Sequence, residues 1–508
     1  MRKIISLLLT ACLAAALLTG CGGKAPEGGT AAKKTMVIGD TTFNSENWEE
    51  TVDPHRTYNG WACIRYGIGE TLVHYTDAME LEPWLATDWT NDGGCTWTIT
   101  LRSGVKFSSG RDMDGEAVKQ CLNHLLENHD RAPSDTKIVD VAADGQVLTV
   151  TTSEPNPALM NYLGDPYGCI IDVDASDFEN GIVVGTGPYV YKGSRRGESI
   201  TMEAFPDYWR GEAKVKHHVV RVIKDNMSAL MAMQSGTLDR MVPNQDYSDR
   251  QLIIDDPRLE YYEAPQACTF LIAFNNARGP FADKRVREAV ARAIDKEELI
   301  LGAVNGMAEP TDVGIVPMCP QSPKDFKGLP YDPELSKKLL AEAGYANGLS
   351  VTMRIIGATN YTKPAEVIQS QLRKIGIDMK IEPMDRGRWF DLVNHKAQFD
   401  ITFYAHAISV NDADFCTYPF LHSSQLNGKG TNYMGVNISE MDECLDKARS
   451  SLDPEERNKY YARVCEIIRD ESIYVPCYTG KRTVAAVKGL NGVFADPMQR
   501  YYVYNYSW

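Results

Sequence analysis

The chain has 508 residues and carries 53 Lys and Arg against 68 Asp and Glu, a formal net charge of −15. A single core stops growing at roughly 250 to 300 residues, so this length calls for at least two lobes. A composition 43% hydrophobic and 24% charged belongs to an ordinary folded protein and excludes a chain that is disordered or membrane-spanning throughout, while the acidic balance argues against a nucleic-acid partner, whose phosphates require a basic surface.

At the amino terminus, Arg2 and Lys3 precede an uncharged apolar run from Ile4 to Leu18. The run is too short to span a bilayer and has the layout of a secretory signal. It ends in Leu18-Thr19-Gly20-Cys21, which resembles a bacterial lipobox. That resemblance implies removal of residues 1–20 as a signal peptide and lipidation of the Cys21 thiol; two acyl chains would hold the protein stably at the membrane. Residues 21–35, rich in Gly, Ala, Thr and Pro, read as the lipidated Cys and a flexible tether. No later segment approaches 18 consecutive apolar residues, so nothing else is expected to enter the membrane.

The remaining cysteines are Cys63, Cys95, Cys121, Cys169, Cys268, Cys319, Cys416, Cys444, Cys465 and Cys477. None is spaced C-x-x-C, and the scatter fits neither a zinc site nor a small disulfide scaffold. Several have apolar neighbours, where a thiol acts as a small hydrophobe, so mostly free thiols are expected.

Along the chain, Met36–Gly39 is a short strand and Cys95–Leu101 alternates with period 2 as a half-buried strand. Gly115–Glu127 places Val118, Cys121, Leu122, Leu125 and Leu126 at helical spacing. Val139–Val141 and Val147–Val150, separated by residues 142–146, predict a hairpin, so the first part is mixed α+β. A different regime begins near residue 270. Ala282–Ala293 is an amphipathic helix, Asp295-Lys296-Glu297-Glu298 a helix start, and Asp332-Pro333 a cap and first-turn proline with Gly344 as the stop. There follow a strand (Leu349–Ile356), a helix (Lys363–Lys374), a strand (Ile377–Ile381), a helix (Arg388–His395) and a strand (Asp400–Tyr404). Strands joined through helices predict a parallel sheet with right-handed crossovers. Ligands of such sheets bind at the carboxyl ends of the strands, here Gly357–Tyr361, Met384-Asp385-Arg386 and Ala405-His406-Ala407. Asp453-Pro454-Glu455-Glu456 caps a last helix running to Asp470, and the aromatic, strand-like tail from Arg482 to Trp508 is expected to return to the first lobe.

Enzyme signatures are missing: the sequence has no H-E-x-x-H, no Walker loop and no G-x-S-x-G, and Gly67-Ile68-Gly69 lacks the third glycine of a dinucleotide fingerprint. Ser134-Asp135-Thr136-Lys137 matches S-x-x-K without an accompanying K-T-G. Two close histidine sets, His124 with His129 and His217-His218, read as solvated imidazoles.

Blocks spread over the whole chain carry a more specific signal. They are Val52-Asp53-Pro54-His55, Gly69-Glu70-Thr71-Leu72-Val73, Pro83–Trp89, the stretch Gly93–Phe107, Gly185-Thr186-Gly187-Pro188-Tyr189, Asp207-Tyr208-Trp209-Arg210-Gly211, Phe274-Asn275 with Val286-Arg287-Glu288-Ala289, and Ala341–Tyr345. In this order they resemble the family 5 extracytoplasmic solute-binding proteins, the peptide, dipeptide and nickel receptors of ABC importers. The resemblance implies an α/β, two-lobed periplasmic-binding-protein type II-like fold with an inserted subdomain in lobe one. It places lobe one at residues 36–270 with the insert at about 50–175, lobe two at 271–478, and a C-terminal return to lobe one at 479–508. It implies a monomeric, non-enzymatic, extracytoplasmic receptor without a cofactor of its own, which closes on a small-molecule or peptide ligand and is recognised by ABC permease subunits. An exported serine hydrolase at Ser134, and a non-transport sensor or chaperone on the same fold, are the readings from other classes.

In peptide-binding members a carboxylate in lobe two meets the ligand's α-ammonium, at an aromatic-rich strand end followed by Asp-Pro and Phe-Leu. The matching stretch here runs from Tyr404 and His406 through Asp412 and Asp414 to Pro419-Phe420-Leu421, without the proline after the Asp. Either aspartate is a candidate, because a buried carboxylate needs a cation or several donors. Nickel receptors of the family take the metal as a chelate, through arginines, aromatics and a loop His. Arg131 falls near one such arginine, Gly168 stands at the other, the strand-end tryptophan is missing, and His422 is the remaining candidate for a transported nickel chelate. Tyr58 and Trp61, following Asp53-Pro54-His55, are candidates to line the cleft.

Overall fold

The computed structural model describes residues 35–40, 51–56, 59–242, 247–426, 430–500 and 502–508. The signal, Cys21 and the tether lie outside them. Helices open on aspartates: Asp114, Asp283, Asp295, Asp332 and Asp453 each accept a first-turn backbone N–H, starting Gly115–Asn128, Lys284–Ala293, Lys296–Val304, Pro333–Glu342 and Pro454–Asp470. Each then buries its apolar stripe, Val118, Cys121, Leu122 and Leu125 in the first case and Val286, Ala289, Val290 and Ala293 in the second. No helix of the described residues is long and apolar enough to cross a membrane.

The strands of the described residues form a twelve-stranded mixed sheet, a separate four-stranded one and the antiparallel pair Val73–Tyr75 with Leu81–Pro83. The four-stranded sheet, in the order Ala86–Asn91, Thr96–Leu101, Val147–Thr152, Ile138–Asp144, is the body of the insert, backed by helix Gly115–Asn128. Its hairpin is tighter than expected. The ladder runs on to Asp144↔Val147, leaving Gly145 and Gln146 as the turn, which the positive φ of Gly145 (+57°) makes possible.

In the later half, Leu349–Ile356 runs parallel to Ile377–Met384 from Leu349↔Ile377 to Ile356↔Met384, and meets Ile401–Ala407 at Met353↔Ile401. These three strands are parallel, as their linking helices led one to expect, but the sheet they belong to is mixed. Ile401–Ala407 is antiparallel to Cys268–Phe274, itself antiparallel to the start of Tyr474–Val487. Two helices also differ. The one expected from Lys363 starts at Thr359, with Pro364 absorbed near its beginning where few backbone bonds are lost, and the one expected at 388–395 is an α-turn Arg386–Trp389 continued by a π-helical turn Phe390–His395.

Strand Tyr474–Val487 joins the two halves. Its first part pairs with Cys268–Phe274 and Ala308–Pro310, its second with Leu259–Pro265 and Arg240–Val242. The chain therefore crosses between lobes on two antiparallel runs, at Pro265–Cys268 and at Tyr478–Lys481. There Gln266 N donates to the Gly480 carbonyl (2.9 Å), while the Tyr247 hydroxyl donates to Lys481 O (2.6 Å) and accepts from Lys481 N (3.0 Å). Beyond Val487 the tail is turn and 3-10 helix (Val503–Asn505) rather than strand, and it packs Leu490, Val493, Val503 and Tyr506 into the core of lobe one. The cores interpenetrate: Tyr75 and Met79 of the first half belong to the lobe-two cluster, and Val410 of the second half to the lobe-one cluster.

The ten cysteines from Cys63 to Cys477 are free, and all but the half-exposed Cys95 are buried. A thiol reagent is expected to modify Cys95 alone in the native protein and the others only in denaturant; prompt native labelling of any other would contradict this packing. His218 and His406 are buried, and burial pushes both imidazoles down to about 3. Unfolded, they take up a proton near 6.5, so below that pH the unfolded state binds more protons and stability falls as the pH drops toward 3, by up to about 1.4 kcal/mol per pH unit for each ring. Denaturant melts between pH 7 and 4 should show this slope, reduced in His406→Phe.

Candidate functional site

The second half meets the insert where strand Ile401–Ala407 ends. The loop that follows is pinned across the seam: Asn411 N donates to the Tyr75 hydroxyl (3.1 Å), Asn411 Nδ2 to Met79 O (2.7 Å), and Ser409 Oγ to Asp165 Oδ2 (2.5 Å). From the other side, Asn161 Nδ2 donates to Asn411 O (3.2 Å) and the Tyr162 hydroxyl to Asp414 Oδ2 (2.6 Å). These residues come from the short helix Leu159–Leu163 and the Asp165-capped turn Pro166–Gly168, both buried in the insert.

The two aspartates of the loop differ sharply. Asp412 caps helix Ala413–Leu421 by accepting from Asp414 N (2.9 Å), receives both Arg457 guanidinium nitrogens (2.8 and 2.9 Å), and accepts from Gln321 Nε2 (3.0 Å). Its lone pairs are filled from within the chain. The cation expected beside Asp412 from a ligand is thus supplied by Arg457, because a buried carboxylate is stabilised by a paired guanidinium from its own chain. Asp414 is half-answered. Oδ2 takes the Tyr162 hydroxyl and Arg449 Nη2 (3.0 Å), whereas the buried Oδ1 has no hydrogen-bond donor among the described residues, and neither has Asn411 Oδ1.

Opposite lies Arg131, its side chain 48% exposed, with guanidinium nitrogens 3.7 Å from Asp165 Oδ2 and 3.8 Å from Asp135 Oδ2, beyond direct hydrogen bonding. The guanidinium lies over Tyr167 of the insert (5.5 Å) and Phe415 of lobe two (5.2 Å). Asp135, Asp165 and Asp414 here outnumber Arg131 and Arg449. Burial pushes the Asp135 carboxyl up to about 6, against the pull of Arg131 and with the like charges of Asp165 and Asp414 adding to the effect.

A second group has the opposite sign. Arg65 donates to Gln499 O (2.9 Å) and covers the Trp61 ring at 4.6 Å, so the half-buried Trp61, on helix Asn59–Arg65, packs against the lobe-two core as a seam residue. Arg482 reaches only Pro497 O (3.4 Å) and no carboxylate among the described residues; burial and the nearby Arg65 charge hold its pKa below the usual value. Tyr404 is half-buried, stacked on Trp389 (4.3 Å) and parallel to Tyr361 (5.9 Å), an aromatic group at the carboxyl ends of the lobe-two strands.

The other expected residues lie elsewhere. His406 is buried, stacked on Phe420 (4.1 Å) with Nε2 3.1 Å from the Tyr433 hydroxyl: a core histidine, because these two side chains cover it although it shares a strand face with the half-buried Tyr404. His422 accepts from Ser424 N (3.0 Å) through Nδ1, has Nε2 3.3 Å from Asp446 and stacks on Tyr418 (4.4 Å), whose other face carries Arg449 at 3.7 Å; it stands one ring behind the seam. Tyr58 lies outside the described residues. Ser134 Oγ donates to Arg131 O (3.0 Å) and Lys137 pairs with Glu154 (2.9 Å), so the S-x-x-K pair is spent on surface contacts. Of the histidines read as solvated, His217 is exposed, whereas His218 is buried against Tyr189 and His129 Nδ1 accepts from Arg131 N and Ala132 N. Asp135, Tyr162, Asp165, Arg449 and Arg457 went unread, since each looks like an ordinary helix or turn residue until its partner, far away in sequence, is beside it.

The residues 80–428 match the model of the bacterial extracellular solute-binding proteins, family 5. The glutathione-binding protein GsiB of Salmonella paratyphi A is 30% identical over 489 residues, covering 92% of this chain and 93% of its own. Among solved structures, NikA of Staphylococcus aureus in complex with Ni(L-His)2 superposes with a TM-score of 0.80 at 22% identity, covering 94% of this chain and all of its own. DppA of Helicobacter pylori in complex with the peptide STSA superposes with a TM-score of 0.78 at 23% identity, covering 93% of this chain and 98% of its own. The match over most of the chain, the identity to a curated relative along nearly its full length and the shared two-lobed architecture lead to one assignment: the chain belongs to family 5 of the bacterial extracellular solute-binding proteins.

Proposed function

We propose that this protein is a lipid-anchored, monomeric receptor that captures short peptides between its lobes and delivers them to an ABC-type import permease. The observation that carries the reading is the surplus of acceptors at the seam: Asp414 Oδ1 and Asn411 Oδ1 without donors, beside an Asp135 whose carboxyl burial pushes up to about 6. An α-ammonium supplies the missing charge and three N–H donors. Arg482, on the long strand just past the crossing, offers the complementary charge for a carboxylate, so the two groups suit a zwitterion. Glutathione, which GsiB is named for, is a tripeptide with one ammonium and two carboxylates and is the first ligand to try. Ser409 and the other seam residues exclude water and orient the ligand, and closure follows from its greater affinity for the closed state.

Titration calorimetry with glutathione and a set of di- and tripeptides, against nickel plus histidine, tests this; heat only with the metal mixture would instead mark a chelate receptor held through Arg131. An ammonium beside Asp135 favours the carboxylate form, so binding releases a proton and peptide affinity is expected to rise as the pH goes from about 5 to 7. Asp135→Asn should flatten that dependence and weaken binding roughly ten- to a hundredfold at pH 7. The anchor is tested separately: Cys21→Ser should move the protein from the membrane to the soluble fraction, and an unchanged distribution would rule out acylation there.

A further inference from the structure

Away from the seam, three side chains of lobe one form a group that peptide capture does not use. Asp53 and His55 lie in the Asp-Pro-His turn, and His124 on helix Gly115–Asn128. His55 Nδ1 and His124 Nδ1 are 2.8 Å apart, His124 Nε2 is 3.5 Å from Asp53 Oδ2, and one ligand atom from each residue lies within 4.8 Å of the others. The side chain of Asp53 is 2% exposed and that of His124 17%, so the group is reachable from the His124 side.

Its hydrogen positions follow from the partners. His55 Nε2 faces the Cys169 carbonyl oxygen at 3.0 Å. A carbonyl only accepts, so Nε2 carries the hydrogen and Nδ1 presents a lone pair. Across the 2.8 Å gap, His124 must then donate from Nδ1, which turns its Nε2 toward the carboxylate oxygen of Asp53. A neutral imidazole would oppose a lone pair to that carboxylate. Asp53 Oδ1 is occupied by His55 N at 2.9 Å, and the nearest side-chain cation besides His124 is Arg56, 3.8 Å from Oδ2 and itself 56% exposed. The His124 Nε2 lone pair thus faces a carboxylate with no guanidinium or ammonium among the described residues within hydrogen-bonding distance, a repulsion that a metal ion would relieve.

We propose that Asp53, His55 and His124 bind one divalent transition-metal ion of the Zn2+ type. Ligand atoms about 2.1 Å from a tetrahedral centre stand about 3.4 Å from one another; one nitrogen of each ring and one Asp53 oxygen lie within 4.8 Å of one another, so that exchanging the hydrogen bond between the two rings for an ion and a small side-chain shift would bring them to that spacing, and two imidazoles with one carboxylate suit Zn2+ with water in the fourth position. The bond from His55 Nε2 to a backbone carbonyl is the outer contact that typically orients a metal-bound imidazole. Cys121 Sγ is 3.8 Å from His55 Nε2, on the edge of the ring away from Nδ1, so no thiolate enters the set. The ion would brace the turn against the insert's long helix, apart from any chelate carried in the seam.

Calorimetric titration of the untagged chain with ZnCl2 alone, paired with thermal melts in Zn2+ and in EDTA, tests the site. One equivalent of Zn2+ is expected to bind and to raise the melting temperature. His124→Gln should melt like the parent in EDTA yet lose at least about tenfold in Zn2+ affinity, while His422→Gln leaves the affinity unchanged and His124→Cys, which restores a ligand, recovers it. Co2+ should give visible ligand-field bands that disappear in His124→Gln. Absence of saturable binding, affinity untouched by both His124→Gln and Asp53→Asn, or affinity that follows His422 would each overturn the proposal and leave a proton-bridged histidine pair. Should His124→Gln fail to fold, Asp53→Asn and the Co2+ spectrum of the parent decide the same question.

Discussion

The structure depends on one strand belonging to two lobes. Tyr474–Val487 is laddered to lobe two at its start and to lobe one at its end, so the strands of both lobes are joined in one sheet through it. Together with the antiparallel run through Pro265–Cys268, it confines relative movement of the lobes to flexing and twisting of two adjacent backbones. At the crossing Gly480 has no side chain, and a Cβ there would lie 3.0 Å from Gln266 Oε1 and 3.3 Å from the Tyr247 hydroxyl. The crossing is thus narrow because its packing is narrow.

That constraint explains the unequal treatment of the two loop aspartates. The loop after Ile401–Ala407 must present the same face to the insert each time the lobes meet, and the Asp412–Arg457 pair with its helix cap fixes it. Such a buried pair holds a conformation more than it adds stability, since desolvation offsets most of the attraction. Asp414, two residues on, is left with one oxygen unmatched. A rigid support beside an incompletely satisfied carboxylate is what a site for a cationic group needs: the support keeps the acceptor in place, and the unmet desolvation makes binding favourable.

Much of this was legible in the sequence. Asp295, Asp332 and Asp453 announce their helices because a cap is local chemistry, and the alternation of Thr96–Leu101 survives because one face of that strand is buried. The family blocks point to the two-lobed fold because turns and core recur with it. The extent of Tyr474–Val487 was not legible: it is buried nearly throughout its first part, so no alternation marks it, and the expected tail strand from Arg482 is less than its second half. Nor was the seam. Tyr162 and Asp414, or Asp135 and Arg131 with Arg449, acquire their meaning from partners brought together by the topology, and periodicity holds no record of that. His406 shows the converse error, since a polar residue at a strand end suggests a cleft although Phe420 and Tyr433 enclose it.

The exchange of apolar side chains between cores has a kinetic meaning. Tyr75 and Met79 sit in the core of lobe two, Val410 in that of lobe one, and the Asn411 hydrogen bonds close over them. Separating the lobes must withdraw these residues into water and break several hydrogen bonds at about 1 kcal/mol each. Entry and exit of a solute therefore share one gate, and the release step belongs to whatever pries the lobes apart. Opening therefore costs the exposure of these apolar groups and the loss of these bonds, so its rate is set at the seam rather than at the crossing strands.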